Sequence, residues 1–445
     1  MKSIPEFKIS NLILIISSAF AIIPDSRNRK VRFSLKNTLM AVGAMFSLKF
    51  RSLLEFDQPR DNKAACYNIE KLFGVKKIPS DSWVRELLDK VNPKSLENAY
   101  RALHHHVKQW GGLELYHYLD DYLLISTDGS GYFCSNKIHC PPCNVKTRSN
   151  GKVEYHHYLL TSVIVHPNLS QGLALPPEFI LRGDGNTKND CATNALKRMI
   201  IRIREFYPTQ KIIILLDSLY ATGPIIKLLK ENNINFIIVL KENNHQALFE
   251  IVQKNLRDGN MDEFEIQENP SKYRLLRGYR YINGVPLNKS HPDILVNYLD
   301  YWEVVKDKES EKTGYQCLWI TDLLLSRENV EKISTADRAR WKVENETFNT
   351  LKTGGYELEH NYGHGQEYLS SMMVTLMMLS FLMDQIQELG CSLFKEARRR
   401  YRSRLSLWAR LRAFFTTYLI DTWEILLEAI VKGYRLAKLE VNDST

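Results

Sequence analysis

Residues 211–217 read Lys-Ile-Ile-Ile-Leu-Leu-Asp. An unbroken apolar run rich in β-branched side chains, ended by a charge, predicts a short strand buried on both faces. The flanks fit that reading. Asn189 to Tyr207 carries Ala195, Met199, Ile203 and Phe206 at helical spacing. Ala221 to Asn232 reads as a second helix and Asn235 to Leu240 (NFIIVL) as another strand. Strand alternating with helix predicts an α/β (α+β) core with parallel pairing.

Upstream, Tyr122 to Thr127 (YLLIST) is a strand expected to end at Asp128-Gly129, and Tyr158 to His166 (YLLTSVIVH) is a second. Downstream the texture turns strand-like, in Tyr273 to Arg280, Tyr298 to Val305 and Gln316 to Thr321. Asp258-Gly259 and Asn283-Gly284 read as the turns between them. Ser334 to Leu351 reads as a helix closed by Gly354-Gly355, and Tyr368 to about Leu389 as a long apolar helix. The region before is helical, with Trp83, Leu87, Leu88 and Val91 on one face. The expected divisions are a helical N-terminal domain (1–118) that is a candidate DNA binder, a catalytic domain (119–385) with a β-rich insertion at about 242–320, and a basic helical region (386–445).

Composition narrows the class. With 445 residues, 44% hydrophobic and 25% charged, the chain is neither collagen-like, disordered nor a coiled coil. Lys+Arg 60 against Asp+Glu 51 gives +9, an excess that favours a polyanionic partner. Seven cysteines are too sparse for a disulfide scaffold, which points to reduced thiols. Leu12 to Ile23 and Met372 to Met383 are apolar but fall short of the ~20 residues a bilayer span needs, so both read as buried helices. The expectation is a soluble, cytoplasmic, nucleoid-associated protein without membrane contact.

Three acids stand out by position. Asp128 and Asp217 each follow an apolar strand, and Glu344 lies in a helix four residues after Arg340. Strand ends side by side with a helix leaning over them can gather three carboxylates. Such a cluster raises its own pKa values and suits two Mg²⁺ or Mn²⁺ ions, hard cations that take oxygen ligands. Two metals ~3.5–4 Å apart can activate a water or a 3′-hydroxyl and stabilise the leaving oxygen of a phosphodiester. Asp184 and Asp190 are alternates for the second acid, ranked lower because neither ends a strong strand.

With these segments in hand, the chain resembles the DDE-type bacterial insertion-sequence transposases that carry a β-strand insertion before the last acid. The resemblance covers roughly 75–385. It rests on Thr127-Asp128-Gly129, Leu216-Asp217-Ser218-Leu219-Tyr220, Trp319-Ile320-Thr321-Asp322-Leu323, Arg338 to Lys352, and His360-Asn361-Tyr362-Gly363-His364-Gly365. Of the family signature Tyr-x2-Arg-x3-Glu-x6-Lys, Arg340 and Glu344 fit, Asp337 takes the Tyr position, and Lys352 falls one residue late. The resemblance implies an RNase H-like core in which Asp128, Asp217 and Glu344 hold two metal ions and Arg340 and Lys352 orient phosphates. It implies hydrolysis at transposon ends and strand transfer by the freed 3′-hydroxyl, on double-stranded DNA, by a homodimer. Trp302 and Trp319 of the insertion read as core residues of their strands, or, as the resemblance allows, as an aromatic that stacks on a flipped base. Rival readings are an RNase H-fold nuclease that does not join, and a DNA-binding protein derived from a dead transposase.

Other features stay open. Cys140 and Cys143 form a Cys-x2-Cys step, with Cys134, His139, His156-His157 and Cys191 nearby in sequence. A structural zinc and a plain turn with reduced thiols both fit it. His360 and His364 follow the Glu344 helix in a Gly-rich loop, placed to touch phosphate or to end the helix. His104-His105-His106 point in different directions on a helix and make a poor metal site. The arginine-rich stretch 395–412 reads either as a phosphate-binding surface or as a solvated helix.

Overall fold

The run Ile212–Leu216 lies inside one large mixed sheet, all five side chains buried. The computed structural model describes residues 8–25, 27, 31–185, 188–268, 274–306, 311–433 and 440–441. The strands that build the sheet around the site are β1 (Tyr122–Ser135), β2 (Asn144–Thr147), β3 (Val153–Val165), β4 (Leu173–Ala174), β5 (Glu178–Ile180), β6 (Ile212–Leu216), β7 (Asn235–Val239), β8 (Asp262–Glu268), β9 (Arg274–Asn288), β10 (His291–Lys306) and β11 (Glu311–Thr321). The order is β2-β3-β1-β6-β7-β11-β10-β9-β8, with β4 and β5 also pairing on β3.

β3 runs antiparallel to β1, whereas β1, β6 and β7 are mutually parallel. Helices Lys188–Phe206 and Gly223–Glu231 make the crossovers. This is an RNase H-like core whose third strand is split into β4 and β5. Parallel strands are covered on both faces, which accounts for the near-continuous apolar runs of β6 and β7. The strands of the insertion do not form a separate unit. β11 pairs antiparallel with β7, placing Ile320 opposite Ile238, and β10, β9 and β8 widen the same sheet. The outermost strand β8 exposes Asp262, Glu263 and Glu265, charges that discourage pairing with another chain.

Four expectations need correction. β1 does not end at Asp128 but runs on to Ser135 against β3. The apolar pattern stops at Thr127 because β6, its neighbour on one side, ends there, while the hairpin with β3 continues in polar residues. Asn283-Gly284 is not a turn between strands. It lies within β9 at a register shift, with Gly284 at φ +73° and the Asn283 side chain bonded to Leu325, which makes it a β-bulge. (Tyr273, the expected start of this strand, lies outside the described residues.) Ser334 to Leu351 is not one regular helix. An α-helix (Val330–Arg338), a 3₁₀ turn (Ala339–Trp341), a π turn (Val343–Phe348) and an α turn (Asn349–Thr353) follow one another. Finally, Met372 to Met383 belongs to a 22-residue helix, Leu369–Gly390, long and apolar enough to cross a membrane but almost wholly buried inside the protein.

That helix explains how the chain's ends are tied in. Ile9–Ala21 and Leu35–Ser47 are buried in the same apolar core, which runs without a break from Ile9 to Val431. The Asn68 amide donates to the Phe415 and Tyr418 carbonyls and accepts from Ile420 N–H, joining N- and C-terminal helices.

Two buried charges carry measurable consequences. Lys49 Nζ lies 2.7 Å from Asp384 Oδ2, with both side chains out of water, and rests over the rings of Tyr356 and Trp408. The Tyr356 hydroxyl donates to the same carboxylate. Truncating one partner strands the other charge, so Asp384→Ala is expected to cost about 3–5 kcal/mol in urea unfolding, and Lys49→Met with Asp384→Leu to recover most of it. A single-variant cost under about 1 kcal/mol would contradict this account.

Asp337 is wholly buried at the helix break, with Arg340 Nε 3.4 Å from its Oδ1. Burial drives its carboxyl up to about 6 against the opposing pull of Arg340. The folded value lies above the unfolded one, so this group's contribution to stability is complete below about pH 4 and is lost as pH rises to about 6. Asp337→Asn is therefore expected to flatten the stability curve across that window and to gain on the order of 1–3 kcal/mol at pH 7. A wild-type curve with no slope there would contradict it.

Candidate active site

The register of two strands decides where the acids lie. β1 and β6 pair in parallel with Ser126 opposite Leu215. Two residues further along each strand's direction, that register carries Asp128 and Asp217 to the same end of the sheet, where the charge of Asp217 bears on Asp128. Asp217 is the first residue after β6 and caps the turn Ser218–Tyr220, its Oδ1 accepting Leu219 N–H at 3.0 Å. Asp128 Oδ1 accepts Gly129 N–H at 2.7 Å.

The broken helix lies over this edge. Ser126 Oγ donates to the Arg340 carbonyl at 2.8 Å and fastens the 3₁₀ turn to β1. Glu344 is exposed on the following π turn, an irregularity often found at functional sites. Electrostatics show that the groups share one field. The Asp128 carboxyl is pushed up by burial and by the charges of Asp217 and Glu344, and held back by Gly129 N–H and Arg340. Asp217 is pushed up by burial and held back by Leu219 N–H, Arg340 and Lys241. The structure thus puts Asp128 within electrostatic reach of Asp217, Glu344 and Arg340, while the oxygens of the three acids do not all lie within 4.8 Å of one another.

Among the described residues, none of the three acids closes an ion pair with a Lys or Arg side chain. They offer hard oxygen donors, a donor set that fits Mg²⁺ or Mn²⁺. Asp184, an alternate second acid, is committed elsewhere, its two oxygens each 2.9 Å from Arg198. The side chain of Asp190 lies outside the described residues.

The remaining candidates scatter. Lys352 pairs with Glu359 at 2.9 Å. Trp302 lies flat on Gly278 of β9, where an added Cβ would come within 1.9 Å of the indole, and Arg280 sits 5.1 Å from its ring. Trp319 is fully buried. His364 meets Phe133, five residues past Asp128 on β1 and on the order of 15 Å along the strand. There it joins Cys140, Cys143 and His157 in a second cluster. Of the other thiols and rings near that step, Cys134 faces His156, His139 packs on Tyr155, and Cys191 bonds to the Gly185 carbonyl. His104 is buried between the Ala174 carbonyl and the Tyr207 hydroxyl.

Lys241 was not foreseen. Its signal was available, because it follows β7 on the same rim of the parallel sheet as Asp217, where ligands of open α/β sheets gather. Of the C-terminal arginines, Arg398 and Arg404 both clasp Glu388, and Arg412 donates to the Lys49 carbonyl. Arg399, Arg400, Arg402 and Arg410 remain exposed.

Residues 171–382 match the family model of the transposase DDE domain. The match includes Asp217, Arg340 and Glu344 and begins after Asp128. No curated protein matches the chain. Residues 171–382 thus resemble a transposase DDE domain, carried here on an RNase H-like sheet, which supports a DDE-type insertion-sequence transposase.

Proposed function

We propose that this transposase hydrolyses the phosphodiester at its element's ends and then joins the freed 3′-hydroxyl to target DNA, using divalent metal. The observation that supports the proposal is the parallel register of β1 and β6, which carries Asp128 and Asp217 to one end of the sheet, with Glu344 and Arg340 acting on Asp128 there. Asp128, Asp217 and Glu344 would hold two Mg²⁺ or Mn²⁺ ions, which supply an activated water or hydroxyl and stabilise the leaving oxygen.

The chain's own residues do the rest. Arg340 acts on both aspartates and is steadied by Asp337, so its guanidinium is fixed where a scissile phosphate would meet the acids. A carboxylate thus stands where the family signature has Tyr. Lys241 extends the positive rim past Asp217. Lys352 reaches phosphate only by leaving Glu359, and Trp302 takes a base only on the side that Arg280 leaves open. The exposed Arg399, Arg400, Arg402 and Arg410 offer phosphate contacts that salt would weaken. Double-stranded DNA as substrate, a homodimer that brings two ends together, and a cytoplasmic, nucleoid-associated location without membrane contact complete the proposal.

The test uses the purified full chain, duplexes carrying the terminal repeats that flank its gene, and Mg²⁺ or Mn²⁺. Cleavage should require the ion and stop with EDTA. Asp217→Asn should lower it by at least about a thousandfold while leaving binding to the end duplex intact. Equal cleavage by Asp217→Asn would refute the site. Pre-cleaved ends should be joined to target DNA; cleavage without joining would make the protein a nuclease. No metal-dependent cleavage by the wild type would favour a transposase-derived DNA-binding protein.

A further inference from the structure

We propose that Cys140, Cys143, His157 and His364 form a tetrahedral zinc site that clamps the β1–β3 hairpin to the loop behind Glu344. The four donor atoms all lie within 4.8 Å of one another. Cys140 Sγ and Cys143 Sγ are 3.5 Å apart, and His157 Nε2 is 3.1 and 3.2 Å from them. His364 Nδ1 is 3.3 Å from His157 Nε2. Zinc bonds of ~2.3 Å to sulfur and ~2.0–2.1 Å to nitrogen give tetrahedral edges of roughly 3.3–3.8 Å, so the cluster is close to the size the ion requires. The sulfurs are too far apart for a disulfide, and both cysteines are free.

The chemistry of the set argues the same way. A thiol donates weakly, so hydrogen bonding alone gives two thiols and two imidazoles little reason to converge. Two sulfur and two nitrogen donors select zinc over the hard cations that suit the carboxylate site. Cys140, Cys143 and His157 are buried and His364 half-buried, as befits a closed structural site and not an open catalytic one. The rings are held from outside. Tyr132 stacks on His157 at 5.4 Å, and Phe133 meets His364 edge-on at 4.0 Å. The Cys140–Cys143 turn is closed by Cys143 N–H to the Cys140 carbonyl, while Cys140 N–H points at Cys143 Sγ. The neighbouring group Cys134, Glu154 and His156 is a weaker candidate, because Glu154 is already paired with Arg148 at 2.6 Å.

The ligands' positions give the site its work. His157 sits on β3 opposite Phe133, on the hairpin whose other strand carries Asp128. His364 lies in the loop that leaves the Glu344 segment. On its far side that loop is pinned by Asp89, which accepts N–H bonds from Gln366, Glu367, Tyr368 and Leu369. Zinc would be the tie on the near side, linking the element that bears Asp128 to the one that follows Glu344.

The test is metal content and cobalt spectroscopy on the full chain, neither of which involves DNA cleavage. Protein purified without chelator should hold one zinc per chain, and replacement by Co²⁺ should give the thiolate charge-transfer and intense ligand-field bands of a tetrahedral site. Mg²⁺ or Co²⁺ on carboxylates alone gives no thiolate band, so failure here would leave the proposed reaction standing, and the reverse. Cys143→Ser and His364→Ala should each lower zinc affinity at least about tenfold. Should these variants misfold, the wild-type cobalt spectrum still decides. A folded wild type that binds neither zinc nor cobalt, or whose Cys140 and Cys143 oxidise to a disulfide with no loss of metal, would overturn the proposal.

Discussion

Parallel pairing of β1 with β6 brings Asp128 and Asp217 to one end of the sheet, where the charge of Asp217 bears on Asp128. Burial pushes both carboxyls up, and the charges of Asp217 and Glu344 push Asp128 further. Such an arrangement persists because the surrounding core over-determines it. β6 is wholly buried and β1 is buried from Leu123 to Thr127, and sliding one past the other would break the pairing that brings the two aspartates to one end of the sheet. In the proposed reaction, function and strain are one feature, because a divalent cation would relieve the negative charge that the fold holds here.

The second half of the site is held by irregularity. Between Arg338 and Asn349 the chain abandons α-helical geometry twice. The 3₁₀ turn delivers the Arg340 carbonyl to Ser126 and its side chain toward the aspartates, and the π turn exposes Glu344 beside them. Asp337 anchors this passage from below by remaining buried beside Arg340. The long helix Leu369–Gly390 then takes the chain into the core, where Lys49 and Asp384 lock it to the N-terminal helices.

Much of this was legible in the residues, for reasons that also explain what was not. KIIILL announces a strand buried on both faces, and an acid directly after it is thereby located. Arg340 and Glu344 stand at a spacing the family motif fixes. β1 past Asp128 was hidden because a hairpin with solvent on one side carries polar residues with no helical or strand period. The strands β4 and β5, at two and three residues, are too short for any pattern to show. The π turn has no compositional mark. The Cys/His cluster was half visible: Cys140 and Cys143 are adjacent in sequence, but His364 lies 207 positions after His157, and only the fold brings the two rings together.

The most direct test of the central claim is to locate manganese by its anomalous scattering in crystals of the full chain grown or soaked with Mn²⁺. The account predicts ion density bridging the carboxylates of Asp128 and Asp217, with Glu344 reaching the same centre. Manganese absent from this edge at saturating concentration, or bound by other side chains while the three acids stay apart, would contradict it.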